Sequence, residues 1–267
     1  MEDRTAAEVL PALESVPNEA WAKLADKTIF FGHHSVGYNI LEGVQDILAE
    51  RPAIRLEIVE TSDPQQLRAG VFAHARVGKN QDPLGKIREF ERVMDSGLAA
   101  KSDIAFVKFC YVDFYDWTDI EPIFELYRET MRSLAAKYPD VAFVYVTVPL
   151  KSKPMGLEAS LKEIAKSVLG KPTTWQHNRR RHEFNERIRE SFGASGRVYD
   201  LALVESTLPD GSRHFHQRGE ERIPELVSAY TMDGGHLNEQ GRRHAAEQLL
   251  ILLASIAADA GPTGSGR

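Results

Sequence analysis

Two stretches of this chain carry residues that could do chemistry together. In Phe31-Gly-His-His-Ser-Val-Gly37 a serine, Ser35, stands where a short apolar run gives way to a helical pattern, and in Asp233-Gly-Gly-His236 a carboxylate and an imidazole lie three residues apart in a glycine-rich turn. A serine hydroxyl is a weak nucleophile. It attacks a carbonyl usefully only when an imidazole takes its proton and a carboxylate fixes the tautomer of that imidazole. Ser35, His236 and Asp233 are the residue types that such an acyl-transfer centre needs. Each stretch also has a plainer reading: Ser35 as the cap of the following helix, and Asp233 with the glycines as a turn that leaves His236 beside a helix start. His33 and His34 flank the serine and read as structural, because His236 already fills the base position. Cys110, the single cysteine, ends an apolar run and reads as a buried thiol. His214-Phe-His216 has a spacing that metals use, without an evident third and fourth ligand; no metal and no cofactor is expected.

For positions 35 and 236 to meet, both must lie at one end of one sheet. Apolar or alternating runs at 28–31, 54–60, 103–109, 141–148 and 197–201 predict five strands, and 103–109 is apolar enough to be buried on both faces. Helical spacing covers about 37–50, 84–96, 119–137, 157–169, 177–191 and 239–258. Strands alternating with helices predict a doubly wound parallel sheet, in which the crevice beyond the carboxyl ends of the strands receives ligands. Ser35 follows the first strand, and the free N–H groups of a helix N-terminus face the same crevice. The connection 61–82 is long enough to suggest function, and 203–232 reads as an irregular polar segment, a candidate lid. The run Asn178-Arg-Arg-Arg181 reads as a solvated basic face.

The 267 residues fit one domain at 27–259, with an N-terminal helical extension at 1–26 and a Gly- and Ser-rich tail at 260–267 expected to be disordered. A net charge of −6 argues against nucleic acid as the main partner, and the sequence predicts no membrane span. With one cysteine and no leader-like start the chain reads as cytoplasmic, although a secreted chain trimmed of its leader would look the same. No Gly-rich Lys-Ser/Thr loop and no G-x-G-x-x-G follows a strand, which disfavours phosphoryl transfer and dinucleotide binding. The oligomeric state is not legible.

In their order, and with the α/β alternation between them, the serine turn and the Asp-x-x-His resemble the SGNH (GDSL-type) hydrolases over roughly residues 27–258. The resemblance implies a three-layer α/β/α, flavodoxin-like domain, here with a five-stranded parallel sheet, and a Ser-His-Asp triad without metal. It implies Ser35 as nucleophile and, through its N–H, oxyanion donor; His236 as general base and then acid; Asp233 as its orienting carboxylate; and a glycine N–H from the second block, for which Gly78 is the candidate. Two departures stand out. His33-His34 precede Ser35 where the first block reads Gly-Asp-Ser, and the third block's Gly-x-Asn-Asp falls on Cys110, Val112 and Asp113, so the asparagine donor is missing. Asn80, two residues past Gly78, is the expected substitute. His34, Tyr111, Asp113 and Trp117 are candidates for a substrate pocket, with plain packing an equal reading of the aromatics. The expected function is hydrolysis of an oxygen ester, of a small molecule or of an acetylated carbohydrate. The alternatives are an acyltransferase on the same site, or a binding module on this fold that has lost catalysis.

Overall fold

The computed structural model describes residues 9–154 and 156–259. The tail 260–267 and the first eight residues of the extension lie outside the described residues.

A first helix, α1 (Asn18–Ala25), leads into β1 (Ile29–His33), which is buried throughout. Helix α2 (Val36–Glu50) follows, with Val36, Ile40, Val44 and Ile47 forming one buried stripe. Next come the edge strand β2 (Glu57–Glu60) and β3 (Val71–Arg76). Helix α3 (Pro83–Val93) starts at Asp82, whose carboxylate accepts from the Gly85 N–H, with Pro83 in its first turn. Strand β4 (Ile104–Val107), helix α4 (Ile120–Lys137) and strand β5 (Ala142–Val146) continue the alternation. After β5 come α5 (Leu157–Val168) and α6 (Thr174–Phe192), the latter opened by a Thr173/Gln176 capping box. A two-residue strand β6 (Val198–Tyr199), a short α7 (Leu201–Glu205), the hairpin β7 (Phe215–Arg218) and β8 (Glu221–Pro224), and α8 (Glu239–Asp259) complete the chain.

The main sheet has six parallel strands in the order β2-β3-β1-β4-β5-β6. The expected count of five is therefore corrected to six. The strand not foreseen is β3, inside the connection 61–82. Its run Val71-Phe-Ala-His-Ala-Arg76 is interrupted by a histidine and sits inside a polar connection, yet its first four residues are buried because β1 and β2 pair with it on both sides. The polar segment 203–232 holds the antiparallel hairpin β7–β8. Without β2, the order β3-β1-β4-β5-β6 is the flavodoxin-like doubly wound order, which switches direction at β1.

Successive residues of β1 divide the core. Phe31 points to the layer of α1, α2 and α8, where it joins Ile40, Val44, Leu249 and Leu253. Phe30 points to the layer of α3, α4 and α6, with Phe90, Tyr127 and Phe184. The extension is tied in: Trp21 and Leu24 of α1 belong to the first core, and Lys23 Nζ donates to the Ala258 carbonyl at 3.2 Å. Among the described residues no helix is long and apolar enough to cross a membrane.

Candidate active site

Strand β1 delivers Ser35 to the carboxyl end of the sheet at the switch point. Ser35 sits at φ 53° and ψ −113°, a backbone conformation costly for a residue with a Cβ, of the kind that gathers at functional sites. It occupies the N-cap position of α2, but its side chain makes no capping bond. Its Oγ lies 2.7 Å from His236 Nε2 instead. The turn is held from below by His33, which is fully buried and bonded through Nε2 to His74 Nδ1 at 3.0 Å. Burial, and then the neighbouring His74 and Lys108, push the His33 pKa down to about 2, so this ring is neutral.

The loop before α8 is built around Asp233. One carboxylate oxygen accepts the backbone N–H groups of Gly235 (2.9 Å) and His236 (2.8 Å), and the other lies 2.5 Å from His236 Nδ1. Burial alone would raise the Asp233 pKa, but the bonds from the His236 ring and from the two amides outweigh it and hold the carboxyl well below its ordinary range. Asp233 is thus an anion that fixes a proton on Nδ1 and leaves the Nε2 lone pair for Ser35. Three further bonds set the loop in place. Asn39 of α2 accepts from Leu237 N at 3.2 Å, Ser152 N donates to the Gly234 carbonyl at 3.0 Å, and Asn238 caps α8 through Gly241 N. Gly235 lets the loop approach the Tyr111 ring closely: a Cβ there would stand 2.9 Å from Tyr111 Cζ and would displace the ring.

That approach brings the Tyr111 ring edge-on to His236, with centroids 5.9 Å apart. Two cations lie against the same tyrosine: Lys151 Nζ at 5.2 Å and the Arg181 guanidinium at 5.8 Å from its centroid. Arg181 is buried and donates to the carbonyl of Tyr111 and to Asn178 Oδ1, and burial lowers its pKa to about 10. Asn178 in turn holds Lys151 by two bonds, accepting its N–H at 3.0 Å and donating to its carbonyl at 2.7 Å. Asn185, two turns further along α6, does the same for Val148. These two amides substitute for a neighbouring strand along 148–151, the segment that carries Lys151 and Ser152 to the Asp233 loop. The expected solvated basic face at Asn178–Arg181 is therefore wrong for its two ends, since Asn178 and Arg181 are each 1% exposed. The only hint in the sequence is the seven-residue spacing of Asn178 and Asn185, which puts two amides on one helix face.

The other candidate residues fall into different places. His34 Nε2 donates to the Gly78 carbonyl at 2.9 Å and so ties the serine turn to the loop after β3. Gly78 has φ +70°, and a Cβ there would meet the Lys86 backbone at 2.5 Å. Asn80 is exposed on the same loop, with Oδ1 3.5 Å from Lys86 Nζ. Trp117 is exposed and stacks on Tyr115, with ring centroids 4.8 Å apart. Asp113 is an anchor rather than a pocket residue, which corrects that expectation: its carboxylate is fully buried, paired with Lys86 and accepting the N–H groups of Cys110 and Gln81. A carboxylate committed to three donors knits the β3 and β4 loops together and is closed to substrate. Cys110 is buried. His214 and His216 both face the carboxylate of Glu225, at 3.3 and 3.5 Å, and among the described residues no group of three such side chains is placed to hold a metal ion.

No family model matches the chain, and no curated protein matches it. Solved structures similar to it include a platelet activating factor assignment from Streptococcus pneumonia (15% identity, TM-score 0.48), covering 90% of this chain and 94% of that one. A GDSL-like lipase from Bacteroides thetaiotaomicron matches at 12% identity and TM-score 0.44, covering 84% and 86% of the two chains. A variant of an acetyl-xylooligosaccharide esterase from a Geobacillus species matches at 14% identity and TM-score 0.40, covering 86% and 96%.

Proposed function

We propose that this chain is a serine hydrolase of the SGNH type, cleaving an oxygen ester of a small acyl group through an acyl-enzyme on Ser35. The observation that carries the reading is the hydrogen-bonded line from Ser35 Oγ through His236 to Asp233 at the switch point of a parallel sheet. In this reading His236 Nε2 takes the Ser35 proton as Oγ bonds to the substrate carbonyl carbon. The tetrahedral centre collapses, its bond to the alcohol oxygen breaks, and the His236 imidazolium protonates the departing alcohol. Water then attacks the acyl-enzyme, with His236 accepting its proton, and the broken Oγ–carbon bond releases the acid and returns the proton to Ser35. Asp233 stays ionised throughout and stabilises the imidazolium.

The oxyanion is assigned to the N–H groups of Ser35 and Gly78 together with the Asn80 amide, whose Oδ1 is turned to Lys86 so that Nδ2 is the donating end. His34 supports that assignment by bonding the Gly78 carbonyl and so tying to the serine turn the loop that carries the Gly78 N–H. Because a carbonyl only accepts, His34 carries its proton on Nε2. Labelling with a fluorophosphonate probe, read by peptide mass spectrometry, tests the proposal. Native protein is expected to be modified at Ser35, and His236→Ala to lose the modification. A folded native protein that takes no label would overturn the catalytic reading and leave a binding module on this fold.

A further inference from the structure

Helix α5 is amphipathic the wrong way round for a helix that only packs on its own domain. Leu157, Leu161, Ile164 and Val168 follow the i, i+4, i+7, i+11 spacing of one stripe, and all four are between 60% and 87% exposed. Polar side chains flanking the stripe tie the helix to the body: Glu163 accepts from the Thr174 N–H, and Ser167 Oγ from Arg218. The stripe is not alone. Trp117 after β4, Leu169 after α5 and Met232 beside Asp233 are exposed as well, and of the large apolar side chains this exposed among the described residues only Val9 lies elsewhere. All the rest belong to segments following the carboxyl ends of β4, β5 and β6, the end of the sheet that carries Ser35 and His236.

The charge around the stripe is opposite to that of the chain. Residues 151–172 hold five lysines and two glutamates, a net of +3 in a chain of −6. Lys151, Lys153, Lys162 and Lys166 line a cavity of about 390 Å³ that reaches Asp233 and Gly234, with Glu163 on the same wall. The exposed Lys162 and Lys166 pair with Glu158 and Glu163, and surface pairs of this kind are weak and exchangeable. We propose that α5 and this apolar rim dock on a lipid–water interface carrying anionic headgroups, with the Ser35 centre facing the bilayer surface. Leu and Val side chains would enter the acyl boundary while lysines, whose stems lie along apolar surface, meet the phosphates. A second copy of the chain is the poorer occupant, because a two-fold contact through α5 would bring two surfaces of net positive charge together. The proposal concerns where the site works and rests on the esterase reading only for the use made of the docked state.

The test is co-sedimentation of Ser35→Ala protein with phosphatidylcholine vesicles, with and without phosphatidylglycerol, so that binding is measured apart from turnover. Binding is expected to need the anionic lipid, to weaken in high salt, and to fall at least about tenfold in Leu161→Asp/Ile164→Asp. Both side chains are exposed, so the melting temperature should hold, and the same pair in the native background should leave hydrolysis of a soluble activated ester unchanged. Vesicle binding without esterase activity would sink the catalytic reading and leave docking standing. No binding to anionic vesicles, or binding indifferent to the pair, would overturn the proposal. So would a dimer in sedimentation equilibrium that the same pair makes monomeric.

Discussion

At the scale of single residues the candidate site is a set of groups whose options have been narrowed. Ser35 forgoes a helix cap and adopts a strained backbone to place Oγ on His236. Asp233 gives one oxygen to two amides and the other to the imidazole, and these bonds favour its ionised form. The weak point is the oxyanion, because Val112 stands where the resemblance calls for an asparagine. If Asn80 supplies that donor, Asn80→Ala should lower turnover by a factor of about 100 to 1,000. As an exposed residue it should do so without lowering the melting temperature. Steady-state kinetics beside a thermal melt decides it, and unchanged turnover removes Asn80 from the site.

At the scale of elements, the site depends on a segment that belongs to no regular element. Residues 148–151 leave β5 and run to the Asp233 loop with the backbone groups of Val148 and Lys151 bonded by Asn185 and Asn178 of α6, and the Leu150 N–H by Glu205. Asn178→Ala would leave the part-buried Lys151 N–H without its acceptor, at a cost of about 1–3 kcal/mol, while the Lys151 carbonyl keeps the Leu226 N–H, and it would free Arg181 from one of its acceptors. We expect a lower denaturation midpoint together with reduced fluorophosphonate labelling, since Ser152 N holds the Gly234 carbonyl. A loss of stability with undiminished labelling would show that the clamp does not reach the triad. This dependence is invisible in a linear reading, because asparagine and arginine in a helix otherwise rich in charge read as its wet side. Only the packing of α6 against the strand ends turns that face inward.

At the scale of the molecule, stability should carry the mark of a buried acid. Glu205 at the end of α7 accepts the Leu150 N–H at 2.6 Å and leaves its other oxygen without a partner. Burial raises its pKa from 4.5 to about 8, against the opposing pull of that bond and of Lys108 and Arg181. The folded state therefore binds a proton that the unfolded state releases between those two values. In that window stability contributed by this group is present at the low end and is lost as pH rises toward about 8. Glu205→Gln removes the titration while keeping an acceptor for Leu150, so the melting temperature of the variant relative to the native protein should climb from pH 5 to pH 8. A constant difference across that range would rule the effect out.

What the sequence by itself determined is what rests on local pattern and on chemical necessity. The strand–helix alternation set the layers, the serine turn and the Asp-x-x-His marked the two ends of the candidate site, and helical spacing marked the extents of α2, α4 and α8. What only the tertiary structure decided is everything that depends on which segments become neighbours. Strand β3, with His74 in its middle, exists because β1 and β2 flank it. Asp113 became a buried anchor because Lys86 arrives from another helix. The Ser35 to His236 contact spans 201 positions of chain. Residue types limit which chemistry is possible, whereas burial, orientation and pKa are set by groups distant in sequence, and those are fixed only when the chain closes on itself.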